Sequence, residues 1–303
     1  MPSGKEIKSR IKSVKNTGKI TKAMELISTV KMKKAQESVV SLRPFALATL
    51  SILGKIAKDD EVLGMFAITP KATKELIVLV ASQKGLCGGY NTNVFKKTTE
   101  YVRDDSDTPY TREYHYITIG KRARDFVLRT GQHLVADFSD EVKDPLTPAE
   151  SRRMVRAIVD LWKTAHYSKI SIIYNHYVSA ISQLPTVKSI FPINRTDIFA
   201  FLERSAGGKY KEEAYDGSYM IEPDVETIIT MTIPLILDGI VHETLLEAKA
   251  SEHAARMVAM KNAKDSANKK ASGLTLVYNK TRQAAITKEV SEIVSGVESM
   301  KDV

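Results

Sequence analysis

Gly85-Leu-Cys-Gly-Gly-Tyr-Asn91 is the stretch of this 303-residue chain whose composition comes nearest to a reactive or ligand-cradling loop. It follows a short apolar run, Leu76–Ala81, and precedes a helical pattern. That is where a doubly wound fold sets phosphates against a helix N-terminus. The spacing argues against that use. It is neither G-x-G-x-x-G nor a G-K-[ST] loop, and the region about 20 residues on, where an acidic side chain would take a ribose hydroxyl, is the polar loop Asp104-Asp-Ser-Asp107. A tight strand-to-helix turn, in which glycine supplies the backbone angles, accounts for the same residues. Cys87 would be a nucleophile only as a thiolate beside a base, and no histidine stands near it in sequence, so it reads as a small structural residue. As the single cysteine it leaves no intramolecular disulfide and no multi-cysteine metal site.

The other reactive side chains form no constellation. The histidines at 115, 133, 166, 176, 242 and 253 show no metal-ligand pairing, and His242-Glu243 lacks the second histidine of a zinc-protease helix. Asp104, Asp105 and Asp107 lack the glycine and distal glutamate of a calcium loop. No catalytic residue, cofactor site or metal site is expected.

Positioning elements come next. Strand and helix patterns alternate between the two ends. Leu76–Ala81, Tyr114–Ile119, Leu134–Phe138, Lys169–Asn175 and Val187–Ile193 read as strands; Asn93–Val102, Arg122–Arg129 and Pro148–Ala165 read as helices. Such alternation predicts a Rossmann-like α/β domain with a mostly parallel sheet over about 70–225. Residues 204–218 read as an exposed loop.

Long helical patterns flank this domain. The first, residues 1–60, has Ser3 and Glu6 in a capping-box arrangement, with Gly18 and Pro44 as interruptions and Pro44 as a kink. The last, 230–303, begins near Thr232-Ile-Pro234, with proline in its first turn. At 1.5 Å per residue they would be about 80 and about 100 Å long. Neither can be covered by the domain alone, so they are expected to pair with each other as an antiparallel two-helix coiled coil with the second overhanging. Small residues at Ala248, Ser251, Ala255, Ala259, Ala263, Ala267 and Ala271 would let the backbones approach closely.

Charge is just as unevenly distributed. Residues 1–60 hold 13 Lys/Arg against 5 Asp/Glu, whereas residues 61–233 hold 22 of each. The overall +9 therefore belongs to one arm. This arm has no aromatic residue between Lys5 and Lys34 on which bases could stack, so an acidic protein surface suits it better than nucleic acid. No apolar stretch reaches the length of a membrane span.

Two stretches near the ends carry a family resemblance. Asn16–Lys34, NTGKITKAMELISTVKMKK, resembles the N-terminal helix of the gamma subunit of F-type ATP synthase, and SEHAARMVAMK (251–261) with LTLVYNKTRQAAITKE (274–289) resembles its C-terminal helix. Gly85-Leu-Cys-Gly-Gly and Glu222-Pro-Asp224 match its middle. The resemblance implies a central rotor stalk that threads the alpha and beta subunits, stands on the c ring with the epsilon subunit, and hydrolyses nothing, nucleotides and Mg being held by alpha and beta. It implies contacts to beta from Arg282, Gln283, Thr287 and Met24, and contacts to the c ring or epsilon from Tyr219 and Glu222. Gln83 stands where the family often has Asp, and Ile221 where an aromatic is common. Membrane association would come through the Fo sector alone, on the cytoplasmic side of a bacterial membrane. The competing expectations are a dinucleotide-binding enzyme, resting on the glycine turn, and a nucleic-acid-binding coiled coil, resting on the basic arm.

Overall fold

A computed structural model describes residues 4–56, 73–105, 112–165, 167–192, 195–207 and 222–301. Contacts divide the chain into two units, Ser28–Arg256 and the pair Met1–Ile27 with Met257–Val303. The elements, in order, are α1 (Gly4–Ser41), α2 (Arg43–Ile56), β1 (Lys74–Val80), α3 (Tyr90–Asp105), β2 (Glu113–Ile119), α4 (Lys121–Arg129), β3 (His133–Asp137), α5 (Pro148–Ala165), β4 (Tyr167–Tyr177), β5 (Gln183–Phe191), α6 (Arg195–Ser205) and α7 (Val225–Lys301).

The larger unit is built on a five-stranded sheet of order β3-β2-β1-β4-β5. β1 pairs in parallel with β2 and β4, and β2 with β3; β5 returns antiparallel to β4. This is the mixed α/β architecture with a mostly parallel sheet that the alternating pattern predicts. β1 shows why. Its run KELIVLV is apolar on both sides because both faces are covered. Leu76, Val78 and Val80 join a core with Met154 and Ile158 of α5 and Leu237, Val241 and Leu245 of α7. Ile77 and Leu79 join a second core with Val94 of α3 and Ala123 and Val127 of α4. A third cluster seats α6 against α2 and α7, through Phe201, Leu202, Ala46, Ile236 and Ile240. Beside it, Lys188 of β5 donates to Thr244 Oγ1 at 3.3 Å, and burial lowers its pKa to about 8 against the opposing pull of Glu243.

Local chemistry sets the helix starts. Thr147 and Glu150 form a capping box at α5, with the Thr147 amide donating to Glu150 Oε2 at 2.9 Å. Asp224 accepts the Thr227 amide at 2.7 Å at the start of α7. That cap corrects the expected start at Thr232. The helix begins at Val225, and Pro234 lies inside it on an exposed face. The forward arm also differs from expectation. Gly18 does not interrupt α1; the break falls at Leu42, and Pro44 sits in the first turn of α2, where a missing amide is tolerated. Residues 204–205, expected in a loop, end α6, a helix not anticipated; 208–218 and Ser3 lie outside the described residues.

In the smaller unit, the first and last stretches of chain touch at several levels. Gly4 lies against the Tyr278 ring, Gly18 against Ala267 and Asn268, and Lys264 donates to Glu25 Oε2 at 2.7 Å. Of the alanines expected to face a partner, Ala255, Ala259, Ala263 and Ala267 are half-buried, while Ala248 and Ala271 are buried. Ala254 and Met260, not anticipated, are also buried.

Gly120 joins β2 to α4 with φ +93°, and a Cβ there would stand 2.2 Å from the Ala81 carbonyl oxygen. Gly131 also has positive φ, +67°, but its Cβ would meet nothing. Gly120→Ala is therefore expected to lower stability by at least about 2 kcal/mol more than Gly131→Ala in thermal unfolding, since only the first adds a collision to backbone strain. Equal losses would show that β1 and β2 do not approach as closely as described.

Candidate functional site

The carboxyl edge of the sheet is where α/β domains bind ligands, and the far part of α7 holds Arg282, Gln283 and Thr287, three of the six contact residues that the resemblance implies.

At the sheet edge, the chain leaves β1 through Ala81 and Ser82 and turns into α3 with Leu86 and Gly88 at positive φ, 65° and 57°. Asn91 organises the turn. Its Oδ1 accepts the Ser82 amide at 3.0 Å, and its Nδ2 donates to Ser82 Oγ at 2.8 Å and to Cys87 Sγ at 3.3 Å. Cys87 is buried, and burial pushes its thiol above the ordinary range, the reverse of what a nucleophile needs. The turn is also tied to α7: Tyr90 Oη donates to the Ala248 carbonyl at 3.1 Å, and Arg256 donates to the Lys84 carbonyl at 3.2 Å.

The crevice beyond the ends of β1 and β2 is where a dinucleotide would lie. Leu245, Ala248, Lys249 and Glu252 of α7 cover it, facing Val80, Gln83 and Tyr90. What remains is a cavity of about 10 Å³. That is room for about one water, against roughly 300–1,000 Å³ for a pocket that holds a small organic ligand. Gln83 is used structurally, its Oε1 accepting the Lys121 amide at 3.1 Å. Among the described residues no group of three His, Cys, Asp or Glu side chains could hold a metal ion.

The far part of α7 is different in kind. Every residue from Arg282 to Gly296 is exposed. Arg282, Gln283 and Thr287 fall within about 140° of the helix surface at 100° per residue, so they share a face. Thr287 Oγ1 donates back to the Gln283 carbonyl at 3.0 Å. The same face bears Ile286, Val290, Ile293 and Val294, each more than half exposed. Sequence reasoning missed these four, although their i, i+4, i+7, i+8 spacing is the ordinary signature of a helix face seeking cover.

Met24 is half-buried on α1, beside Glu25 and its partner Lys264. Lys264 lies about 27 Å along α7 from Arg282, so Met24 is not part of the Arg282 cluster. Glu222 is exposed just ahead of α7, and Tyr219 lies outside the described residues.

A domain whose ligand crevice is closed by its own long helix, with the far part of that helix bare and partly apolar, has the surface of a component of a larger assembly. Comparisons with known proteins agree. A family model described as ATP synthase matches residues 3–300. The ATP synthase gamma chain of Roseiflexus castenholzii is 34% identical over 307 residues, covering 100% of both chains, and that of Xylella fastidiosa (strain M23) is 35% identical over 298 residues, covering 98% of this chain and 99% of the relative. Among solved structures, the fold resembles a chain of the Euglena gracilis mitochondrial ATP synthase OSCP/F1/c-ring in rotational state 3, with TM-score 0.62, 20% identity and coverage of 98% and 95%. It also resembles a chain of the Tetrahymena thermophila mitochondrial ATP synthase central stalk and c ring, with TM-score 0.56, 22% identity and coverage of 80% and 99%. The chain belongs to the ATP synthase gamma-chain family, and its role is that of the central stalk.

Cys87 provides a check on the sheet edge. Thiol labelling of the native chain at pH 8 should run at least about 100-fold slower than in denaturant, because the thiol is both buried and held protonated. Comparable rates would mean that the crevice is open.

Proposed function

We propose that this chain is the rotor shaft of an ATP synthase, carrying rotation between a membrane ring of c subunits and the beta subunits that make or hydrolyse ATP, with no active site of its own. The observation that carries this is the unbroken exposure of α7 from Arg282 to Gly296, apolar along one face, on a chain of the gamma family. A bare apolar stripe of that length is unfavourable in water and calls for a surrounding surface. The alpha and beta subunits, in a hexamer, are the partners of matching role, with epsilon and the c ring at the other end.

The stretches 1–60 and 230–303 serve as the shaft, and the domain over 70–225 as its base. In the smaller unit the two helices form an antiparallel coiled coil. Three levels of contact support this: Gly4 with Tyr278, Gly18 with Ala267, and Glu25 with Lys264, the number on α7 falling as that on α1 rises. Lys5, Lys8, Lys12, Lys15, Lys19 and Lys22 of α1 are exposed, a basic track suited to acidic loops of beta close to Met24. Arg282, Gln283 and Thr287 make polar contacts with beta, and Tyr219 and Glu222 lie toward the c ring and epsilon. Each orientation of such a shaft favours one beta conformation by differential contact energy, and that difference is what rotation transmits. No helix among the described residues is long and apolar enough to cross a membrane, so attachment to the cytoplasmic side of a bacterial membrane would run through the ring.

Adding the chain to purified alpha and beta subunits should change their ATPase activity; identical activity with and without it would end this reading. Nucleotide binding at the sheet edge is the second reading, and titration calorimetry of the full chain with ATP or NAD is expected to give no heat. Arg282→Ala combined with Gln283→Ala should reduce ATP-driven ion pumping by the assembled enzyme while changing chain stability by less than ~0.5 kcal/mol, since both side chains are exposed. A large fall in thermal stability would assign the two residues to the fold instead.

A further inference from the structure

We infer that a polar bracket, Lys31–Asp144–His253–Arg256 with Glu252, buried at its α7 end and open to solvent at Lys31 and Asp144, is the joint that fastens both long helices to the α/β domain and carries twisting load between them; this deepens the rotor reading and rests on it. Asp144 stands in the connection between β3 and α5. Its Oδ2 accepts Lys31 Nζ of α1 at 2.8 Å and faces His253 Nε2 of α7 at 2.9 Å, so one carboxylate oxygen holds both helices. Burial opposes ionisation of Asp144, but the hydrogen bonds from His253 and Lys31 outweigh it and hold the carboxyl well below its ordinary range.

The rest of the bracket reaches the opposite side of the crevice. Arg256 places NH1 at 3.3 Å from His253 Nδ1 and donates through NH2 to Glu252 Oε1 at 2.6 Å and to the Lys84 carbonyl at 3.2 Å in the glycine turn. A guanidinium only donates, so His253 Nδ1 must accept; the ring proton then sits on Nε2 and donates to Asp144. A neutral imidazole therefore links the two sides in one fixed tautomer. His253, Glu252 and Arg256 are each at least nine-tenths buried.

Apolar contacts between a helix and a sheet are non-directional and resist sliding weakly, whereas a chain of charge-assisted hydrogen bonds fixes rotation about the helix axis. The bracket lies where that resistance matters most. Lys31 is three residues inside the larger unit from Ser28, and Arg256 is its last residue on α7. These side chains are positioning residues. They touch no substrate and act by holding the helices in register with the domain.

The test uses the complete ATP synthase containing this chain, in sealed vesicles, with ATP hydrolysis and ATP-driven proton pumping measured together. Asp144→Ala with His253→Ala should lower the ratio of pumping to hydrolysis at least threefold while hydrolysis stays within twofold of the unaltered enzyme. His253→Gln, whose amide can donate to Asp144 and accept from Arg256, should retain the ratio. If the double variant fails to assemble, Lys31→Met, which removes a half-exposed partner, should lower the ratio in the same direction. An unchanged ratio in whichever variant assembles overturns the joint, and so does a proportional fall in both activities. Failure of the unaltered chain to support coupled pumping would instead overturn the rotor reading.

Discussion

The structure depends on how one helix, α7, is held in rotational register. Between Ile233 and Arg256 its apolar side chains enter two cores, and its polar ones are buried as well: His242, Glu243, Thr244, Glu252, His253 and Arg256. His242, Glu243, Thr244 and His253 have partners elsewhere in the chain, Arg256 reaches the Lys84 carbonyl, and Glu252 is held by Arg256 of α7 itself. His242 Nδ1 lies 3.0 Å from Ser151 Oγ of α5, Glu243 accepts Ser205 Oγ of α6 at 2.7 Å, and Glu252 and His253 belong to the bracket at Asp144. A buried polar group without a partner costs about 1–3 kcal/mol, so turning the helix by one residue would orphan several at once.

The same helix narrows the space at the carboxyl edge of the sheet. Strand order, parallel pairing and the turn after β1 are those of a ligand-binding fold, and composition alone leaves that use open. Leu245, Ala248, Lys249 and Glu252 lie over the crevice and leave space for about one water. Fold does not imply function; here the geometry at the sheet edge favours a domain that grips a shaft over one that holds a nucleotide.

How much of this was legible in the sequence follows from where each signal is local. β1, buried on both faces, announces itself as an unbroken apolar run, and α5 announces itself by its amphipathic period; both lie within two residues of their expected bounds. The start of α7 was not. Pro234 is so strong a helix-start signal that it masked the true cap at Asp224, nearly three turns earlier. α6 was missed because its apolar residues Phe201 and Leu202 find cover on Ala46, Ile236 and Ile240, all remote in sequence. Arg282, Gln283 and Thr287 came from family likeness, since exposed polar residues on a helix have no local signature. Ile286, Val290, Ile293 and Val294 had one, in their spacing, but it reads as core until the structure shows the face uncovered. The bracket was invisible because Lys31, Asp144 and His253 are separated by more than a hundred positions each.

The two parts of α7 then divide the work that rotation requires. Near the domain the helix is fastened by directional, charge-assisted bonds that have one good orientation and lose strength quickly away from it. From Arg282 onward it offers an exposed apolar stripe, Ile286, Val290, Ile293 and Val294, whose attraction to a partner surface follows the area that surface covers. Under the proposed reading, Arg282, Gln283 and Thr287, on the same face, would add directional contacts through which the contact energy changes with angle.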